Sequence, residues 1–262
     1  MTDPTPLTVT HDKGVARVII DRPSVHNAFD DVLIGDLTRT LRALEGDESV
    51  RVVVLGSTGK HFSAGADLNW MQRMATYDWD ANCADSEALG ALMHTLNTLD
   101  RPTVARVQGA ATGGGVGLVA CCDIALASER AVFALTEVKL GLIPAVIAPY
   151  IVNALGEREA RRYAITGERF DAATAKALGL VQEVVPENEL ETRLDAVLDG
   201  LRGNGPMAMR AAKRLMRDVS RRPLDAELRR ETARRIADRR ASDEGQEGIA
   251  AFLNKRTPGW AE

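Results

Sequence analysis

Apolar positions change their spacing several times along this 262-residue chain, and each change predicts an element. Residues 8–11 and 16–21, separated by Asp12-Lys13-Gly14, predict two strands joined by a tight turn, a hairpin that Arg22-Pro23-Ser24 ends. Beyond Asn27 the spacing of Val32, Leu33, Leu37, Leu41 and Leu44 is helical. The next run, Val52-Val53-Val54-Leu55, is short, β-branched and apolar on both sides, which predicts a buried strand of parallel type. The theme recurs with a helix over 88–99, a strand over 103–107, a glycine-rich turn and an apolar helical stretch over 116–121. Strands alternating with helices predict an α/β fold, with no true internal repeat.

Helical signals dominate after Pro144, over 160–165, 172–178, 190–201 and 207–216, punctuated by Gly167, Gly179 and Gly205-Pro206. One short strand is expected over 181–185. The last third is rich in arginine, including Arg229, Arg230, Arg234, Arg235, Arg239 and Arg240, interleaved with Glu227, Glu231 and Asp238 at helical spacing. That pattern fits a solvated helix face or a subunit contact. A division near Asn204 separates an α/β core, 1–204, from a helical part, 205–262. No low-complexity linker marks it, so the tail is not expected to fold alone.

Composition narrows the function. A 45% hydrophobic, 27% charged chain can bury a substantial core, which excludes disorder as its main theme. A formal charge of -4 gives no long-range attraction to nucleic acid or anionic membrane. Cys83, Cys121 and Cys122 include an adjacent pair, poor geometry for a disulfide, so a reducing compartment is expected and no metal-binding cysteine cluster. The N-terminal segment 1–7 is polar, with Pro4 and Pro6, and lacks a basic stretch followed by an apolar one. No apolar run reaches spanning length, so the expectation is a soluble, cytoplasmic protein.

Three segments carry candidate chemistry. The first, Lys60-His61-Phe62-Ser63-Ala64-Gly65-Ala66-Asp67-Leu68, follows a buried strand and precedes a helix, so the amide of Ala66 could donate to a ligand oxygen. The second, Gly109-Ala110-Ala111-Thr112-Gly113-Gly114-Gly115-Val116-Gly117, opens an apolar helix whose free N–H groups and dipole would face an anion or developing oxyanion. The first is equally readable as a structural strand-to-helix turn, and the plainer alternative for the second is tight helix-against-strand packing. The third, Phe133-Ala134-Leu135-Thr136-Glu137-Val138-Lys139-Leu140, holds one acid in a largely apolar stretch. Burial would raise its pKa and suit proton transfer, whereas a surface ion pair with Lys139 is the plainer alternative. Gly115-Val116-Gly117-Leu118-Val119-Ala120 also fits the dinucleotide fingerprint, with Glu137 downstream, but it sits mid-chain and away from a first strand.

Taken together, Ser63-Ala64-Gly65-Ala66-Asp67-Leu68, Gly113-Gly114-Gly115 leading to Cys122-Asp123-Ile124-Ala125, and Glu137-Val138-Lys139-Leu140-Gly141-Leu142-Ile143-Pro144 resemble the crotonase, or enoyl-CoA hydratase/isomerase, superfamily. Arg22-Pro23 with Asn27-Ala28, and Phe252 with Lys255, extend the resemblance over essentially the whole chain. It implies a spiral of ββα turns with a helical C-terminal oligomerisation region, homotrimers or homohexamers, and coenzyme A thioester substrates. By matching motifs, the amides of Ala66 and Gly114 would form an oxyanion hole for the thioester carbonyl. Coenzyme A contacts map onto Val25, His26, Ala64, Asp67 and Leu68, with Phe252 and Lys255 reaching the nucleotide end, sometimes from a neighbouring subunit. Coenzyme A is then part of the substrate, and no separate cofactor or metal is implied.

Two-glutamate hydratases of the superfamily carry an acid where this chain has Gly117, while Glu137 matches the second acid. Water addition with one carboxylate calls for a second proton donor, either bound water or the substrate's own distal carboxyl. A lone Glu137 also suits an enoyl-CoA isomerase, taking a proton from C2 and returning it at C4. In detail the chain resembles 3-methylglutaconyl-CoA and isohexenylglutaconyl-CoA hydratases. Leu135, Trp70, Met71, Met74 and Tyr150 are then candidate acyl-pocket residues, Arg73, Lys60 or His61 candidate partners of a substrate carboxylate, and His94 a reserve acid. The leading expectation is an enoyl-CoA hydratase. Its competitors are the isomerase, a catalytically weak acyl-CoA-binding protein and, more remotely, a nicotinamide oxidoreductase.

Overall fold

The computed structural model describes residues 6–261. The reading of the N-terminal segment falls mostly on residues 1–5, which lie outside the described residues, as does Glu262. Elements follow in the order β1 (Leu7–Asp12), β2 (Val15–Ile20), α1 (Asp31–Gly46), β3 (Val52–Ser57), α2 (Leu68–Met74), α3 (Trp79–Thr98), β4 (Thr103–Val107), β5 (Ala111–Thr112), α4 (Gly114–Cys121), β6 (Ile124–Ser128) and β7 (Val132–Ala134). They continue with α5 (Ala148–Leu155), α6 (Glu157–Thr166), β8 (Arg169–Asp171), α7 (Ala172–Leu178), β9 (Glu183–Val185), α8 (Leu190–Arg202), α9 (Pro206–Val219), α10 (Ala226–Ala241) and α11 (Asp243–Leu253).

A six-stranded sheet runs β1-β2-β3-β4-β6-β9. The β1–β2 hairpin is antiparallel and turns through Lys13 and Gly14, both at positive φ; every other pairing in this sheet is parallel. The double-sided apolarity of β3 has a direct cause. Val53 and Leu55 join the main core with Leu33, Leu37 and Leu41 of α1, while Val52 and Val54 face the fully buried Leu190, Leu194 and Leu198 of α8. Burying each such leucine stabilises the fold by roughly 1.5–3 kcal/mol, so α8 belongs to the sheet's second face as firmly as α1 does to its first.

A second sheet, β5-β7-β8, lies beyond the glycine-rich turn. Its strands are two or three residues long and no hydrophobic period announces them. Two further differences have physical reasons. The helix expected over 88–99 begins at Trp79, because its first half is solvated and only Leu92, Met93 and Leu96 are buried; Asp78 caps it by accepting from Ala81 N at 2.8 Å. The segment Cys122-Asp123-Ile124-Ala125 runs into the buried strand β6, which the spacing alone does not predict.

The C-terminal helices are fastened to the sheet by half-buried cations. Arg51 donates to the carbonyls of Arg202 and Trp260 at 2.6 Å each and of Asn204 at 2.8 Å. Lys213 of α9 sits 2.7 Å from Asp123 Oδ2 and 3.0 Å from the carbonyl of Arg101. Such charge-assisted bonds orient α9 against the ends of β4 and β6. No helix of the described residues is long and apolar enough to cross a membrane.

Candidate active site

Buried amide side chains shape the turn that follows β3. Asn27, fully buried at φ 56°, donates from Nδ2 to the carbonyls of Thr58 (2.7 Å) and His61 (2.8 Å) and accepts from Arg22 N at 2.9 Å. Gln108, directly after β4, donates from Nε2 toward Ser57 Oγ at 3.0 Å and the carbonyl of His61 at 3.1 Å. The chain then pairs with its neighbours: Ser63 N donates to Ala110 O at 3.0 Å and Thr112 N to Ser63 O at 2.9 Å. Phe29 N donates to Gly65 O and Asp67 N to Phe29 O, both at 2.7 Å. This two-sided pairing passes over the residue between. The Ala66 N–H donates to no acceptor among the described residues.

The second turn is held by the same residue. The ring of Phe29 lies against Gly114, so that a Cβ there would stand 3.5 Å from Phe29 Cε2. Gly113 caps α4 at φ 52° and ψ -119°, a conformation that glycine adopts at little cost and L side chains rarely do. Its N–H donates to Ala134 O at 2.9 Å, and its carbonyl accepts from Val116 at 2.9 Å and Gly117 at 3.2 Å. The Gly114 N–H, at the first position of α4, has no acceptor among the described residues and lies at the positive end of the helix dipole.

Glu137 opens a single 3-10 turn, Glu137–Leu140, that Gly141 ends at φ 73°. Its carboxyl reaches Gly113: a Cβ on that glycine would be 2.8 Å from Oε1. Oε2 is buried with no hydrogen-bond partner. Burial pushes the Glu137 carboxyl above the usual glutamate range, and a bond to its own backbone opposes this only in part. The surface pair with Lys139 does not form among the described residues; the Lys139 stem instead lies against Gly167. A carboxyl so placed, raised above the usual range, can take and return a proton, and the two N–H groups, linked through Phe29, can stabilise a developing oxyanion.

The remaining sequence-predicted residues divide into three groups. His26, at φ 54° and exposed, accepts from Ala64 N at 3.0 Å, and its ring meets that of His61 edge-on at 4.9 Å. Val25 is half-buried beside it, and Leu68 is 76% exposed at the start of α2. Asp67 is committed to structure: 5% exposed, it caps α2 by accepting from Asn69 N at 2.8 Å and lies 3.6 Å from Arg22. Phe252 is 83% exposed, and no hydrogen bond or ion pair among the described residues joins it or Lys255 to these turns.

Of the acyl-pocket candidates, Leu135 and Trp70 are buried and Met71, Met74 and Tyr150 half-buried. Trp70 Nε1 donates to Asp85 Oδ1 at 3.1 Å, tying α2 to α3. Arg73 pairs with Asp31. Lys60 and His61 line a cleft of about 350 Å³ with Arg130, Arg169 and Glu187, at the carboxyl ends of β3, β4 and β6. His94 is exposed on α3. The dinucleotide reading is corrected: Gly115 to Ala120 lie inside α4, not on a strand-to-helix turn.

Sequence reasoning missed the roles of Phe29 and Gln108, and gave Asn27 none. A polar residue directly after a fully apolar strand, as Gln108 follows Val107, is the available signal, because a buried amide there must find partners.

The sequence model of one family, "Enoyl-CoA hydratase/isomerase", matches residues 10–262. The chain is 33% identical over 254 residues to 2,3-dehydroadipyl-CoA hydratase of Escherichia coli K12, covering 96% of this chain and 97% of that protein. Among solved structures, a Legionella pneumophila protein described as an enoyl-CoA hydratase/isomerase (crotonase) is similar at 47% identity and TM-score 0.94, covering 98% of this chain and 99% of the other. AtuE of Pseudomonas aeruginosa is similar at 37% identity and TM-score 0.94, covering 98% of this chain and all of the other (100%).

Proposed function

Because the chain belongs to the enoyl-CoA hydratase/isomerase family and has its α/β crotonase fold of two sheets and C-terminal helices, we propose that it adds water across the 2,3 double bond of a branched or carboxylated enoyl-CoA, with Glu137 as its one carboxyl. The observation that carries this reading is the buried, unpartnered Oε2 of Glu137, whose carboxyl reaches Gly113, together with the uncommitted amides of Ala66 and Gly114. As the water oxygen bonds to C3, Glu137 accepts the water proton, and the electron pair of the double bond moves onto the thioester oxygen, held by Ala66 and Gly114. C2 is then protonated by bound water or by a distal carboxyl of the substrate. The similarity to a hydratase named for 2,3-dehydroadipyl-CoA, an acyl group with such a carboxyl, supports the carboxylated class.

Val25, His26, Ala64, Asp67 and Leu68 border the coenzyme A portion in this proposal, with Phe252 and Lys255 contributed by a neighbouring subunit. Exposed apolar residues of the 205–262 region, Met216, Leu224, Leu253 and Phe252 itself, support its role in assembly. A second reading is positional isomerisation, favoured by the lone acid: Glu137 would take a C2 proton and return it at C4. Incubation in deuterated water with 3-methylglutaconyl-CoA, crotonyl-CoA and a 3-enoyl-CoA, followed by mass spectrometry, separates the two. Hydration predicts a product heavier by one water; deuterium uptake with double-bond migration and no added water would replace it with the isomerase.

A further inference from the structure

The cleft lined by Lys60 and His61 is built by both sheets and includes none of Ala66, Gly114 and Glu137. Its floor is one face of the second sheet. Thr112 pairs with Ala134 and Ala134 with Arg169, so the three stand side by side across β5, β7 and β8, while Phe133 and Phe170 point the other way into the core. Its walls come from the carboxyl ends of parallel strands: Lys60 and His61 beyond β3, Gln108 beyond β4, Arg130 beyond β6 and Glu187 beyond β9. Such an edge is where open α/β sheets receive ligands. A volume of about 350 Å³ falls in the range of small-molecule sites.

Most polar groups of this cleft are unspent. Glu187 is the one acid in the lining, and Arg130 holds it at 2.5 Å; Lys60 and Arg169 form no ion pair among the described residues. The N–H groups of Lys60, His61, Gly109 and Ala110 donate to no acceptor among the described residues. Gln108, 7% exposed, commits its Nε2 to Ser57 and His61 and leaves its Oε1 buried without a partner. Polar groups of a folded wall ordinarily find partners, so this many unmet ones mark a place where something binds. Burial first, then the neighbouring charges of His26 and Lys60, push the His61 imidazole below the usual histidine range, in keeping with an excess of positive charge. We propose that the cleft is a binding site for a small phosphate-bearing ligand, separate from the enoyl-CoA. Two unpaired cations and a set of free amides match the several oxygens and the double charge of a phosphate better than the single charge of a carboxylate. Arg169 brings a planar fork from the floor and Lys60 a point charge from the wall.

The test titrates the purified protein with inorganic pyrophosphate and with inorganic phosphate by calorimetry. Saturable binding of one anion per chain is expected, weakened about tenfold in Arg169→Gln and in Lys60→Gln, the scale of one charge-assisted hydrogen bond lost. Arg229→Gln, which removes an exposed arginine of α10, should bind as wild type does. Pyrophosphate should raise the melting temperature of wild type but not that of the folded Lys60→Gln/Arg169→Gln double variant. Saturating coenzyme A should leave the pyrophosphate in place. No binding, equal binding by wild type and the double variant, or a loss as large in Arg229→Gln overturns the proposal. So does displacement by coenzyme A, which would assign the cleft to the phosphates of the substrate itself.

Discussion

Glu137 and Glu247 are two carboxylates of the same chain in opposite circumstances. Glu247, on α11, accepts from both terminal nitrogens of Arg256 at 2.6 and 2.7 Å and from Gly259 N at 3.1 Å, and the Arg256 bonds first, then the Gly259 amide, hold its carboxyl down at about 2. Glu231 is likewise shared between Arg222, at 2.6 Å, and Arg235. Among the described residues Glu137 has no cation partner, one of its oxygens is buried and unpaired, and burial pushes its carboxyl up. These C-terminal carboxylates are thus spent on neighbouring arginines. Around Glu137, Ala66 and Gly114 the polar groups are left for something that binds.

The contrast breaks most visibly at the acid. Glu137→Gln should lower kcat/KM by about 10²–10⁴ while the protein stays folded. Its effect on stability has a definite sign. A carboxyl whose folded pKa is raised binds its proton more tightly in the folded chain, so stability falls as pH rises from the ordinary glutamate value through the raised one. Glu137→Gln should therefore melt at or above the wild type at neutral pH, with the difference closing below the ordinary value. A large loss of stability at neutral pH would show the carboxyl to be structurally paired.

Gly113→Ala tests the geometry without removing a group. Its Cβ would press on Glu137 Oε1 from a strained positive-φ position, so kcat should fall by about 10²-fold, the cost of misplacing a reacting group by roughly 1 Å. Full activity would mean that the carboxyl need not stand there.

On the other side of the comparison, Lys213→Ala should destabilise the fold by roughly 1 kcal/mol, since it breaks a half-buried charge-assisted contact to Asp123. Turnover per folded molecule should hold. Glu247→Gln should have the smallest effect. A carboxyl with a lowered folded pKa contributes stability above the ordinary glutamate value and loses it as pH falls toward about 2. A melting difference from wild type present at pH 7 and gone near pH 2, with unchanged kcat, is the expected result.

Much of this was legible in the residues. Strand β3 announces itself because burial on both faces leaves no polar alternation, and α1 because Leu33, Leu37, Leu41 and Leu44 all face the core. The second sheet was not legible, since strands as short as Ala111–Thr112 carry no period. Glu137 could be singled out as the lone acid of an apolar stretch. That its neighbour would be Gly113 rather than Lys139 depends on how distant turns meet.

The central claim is that Glu137 is a half-buried carboxyl, with one buried oxygen lacking a partner, set for proton transfer, and its own titration tests this most directly. Difference infrared spectra of wild type against Glu137→Gln, followed through the carboxyl carbonyl stretch from acid to neutral pH, isolate that group. The structure predicts a transition above the ordinary glutamate range, matched by an inflection at the same pH on the acid limb of kcat/KM. A carboxyl that titrates at or below the ordinary range would contradict the account.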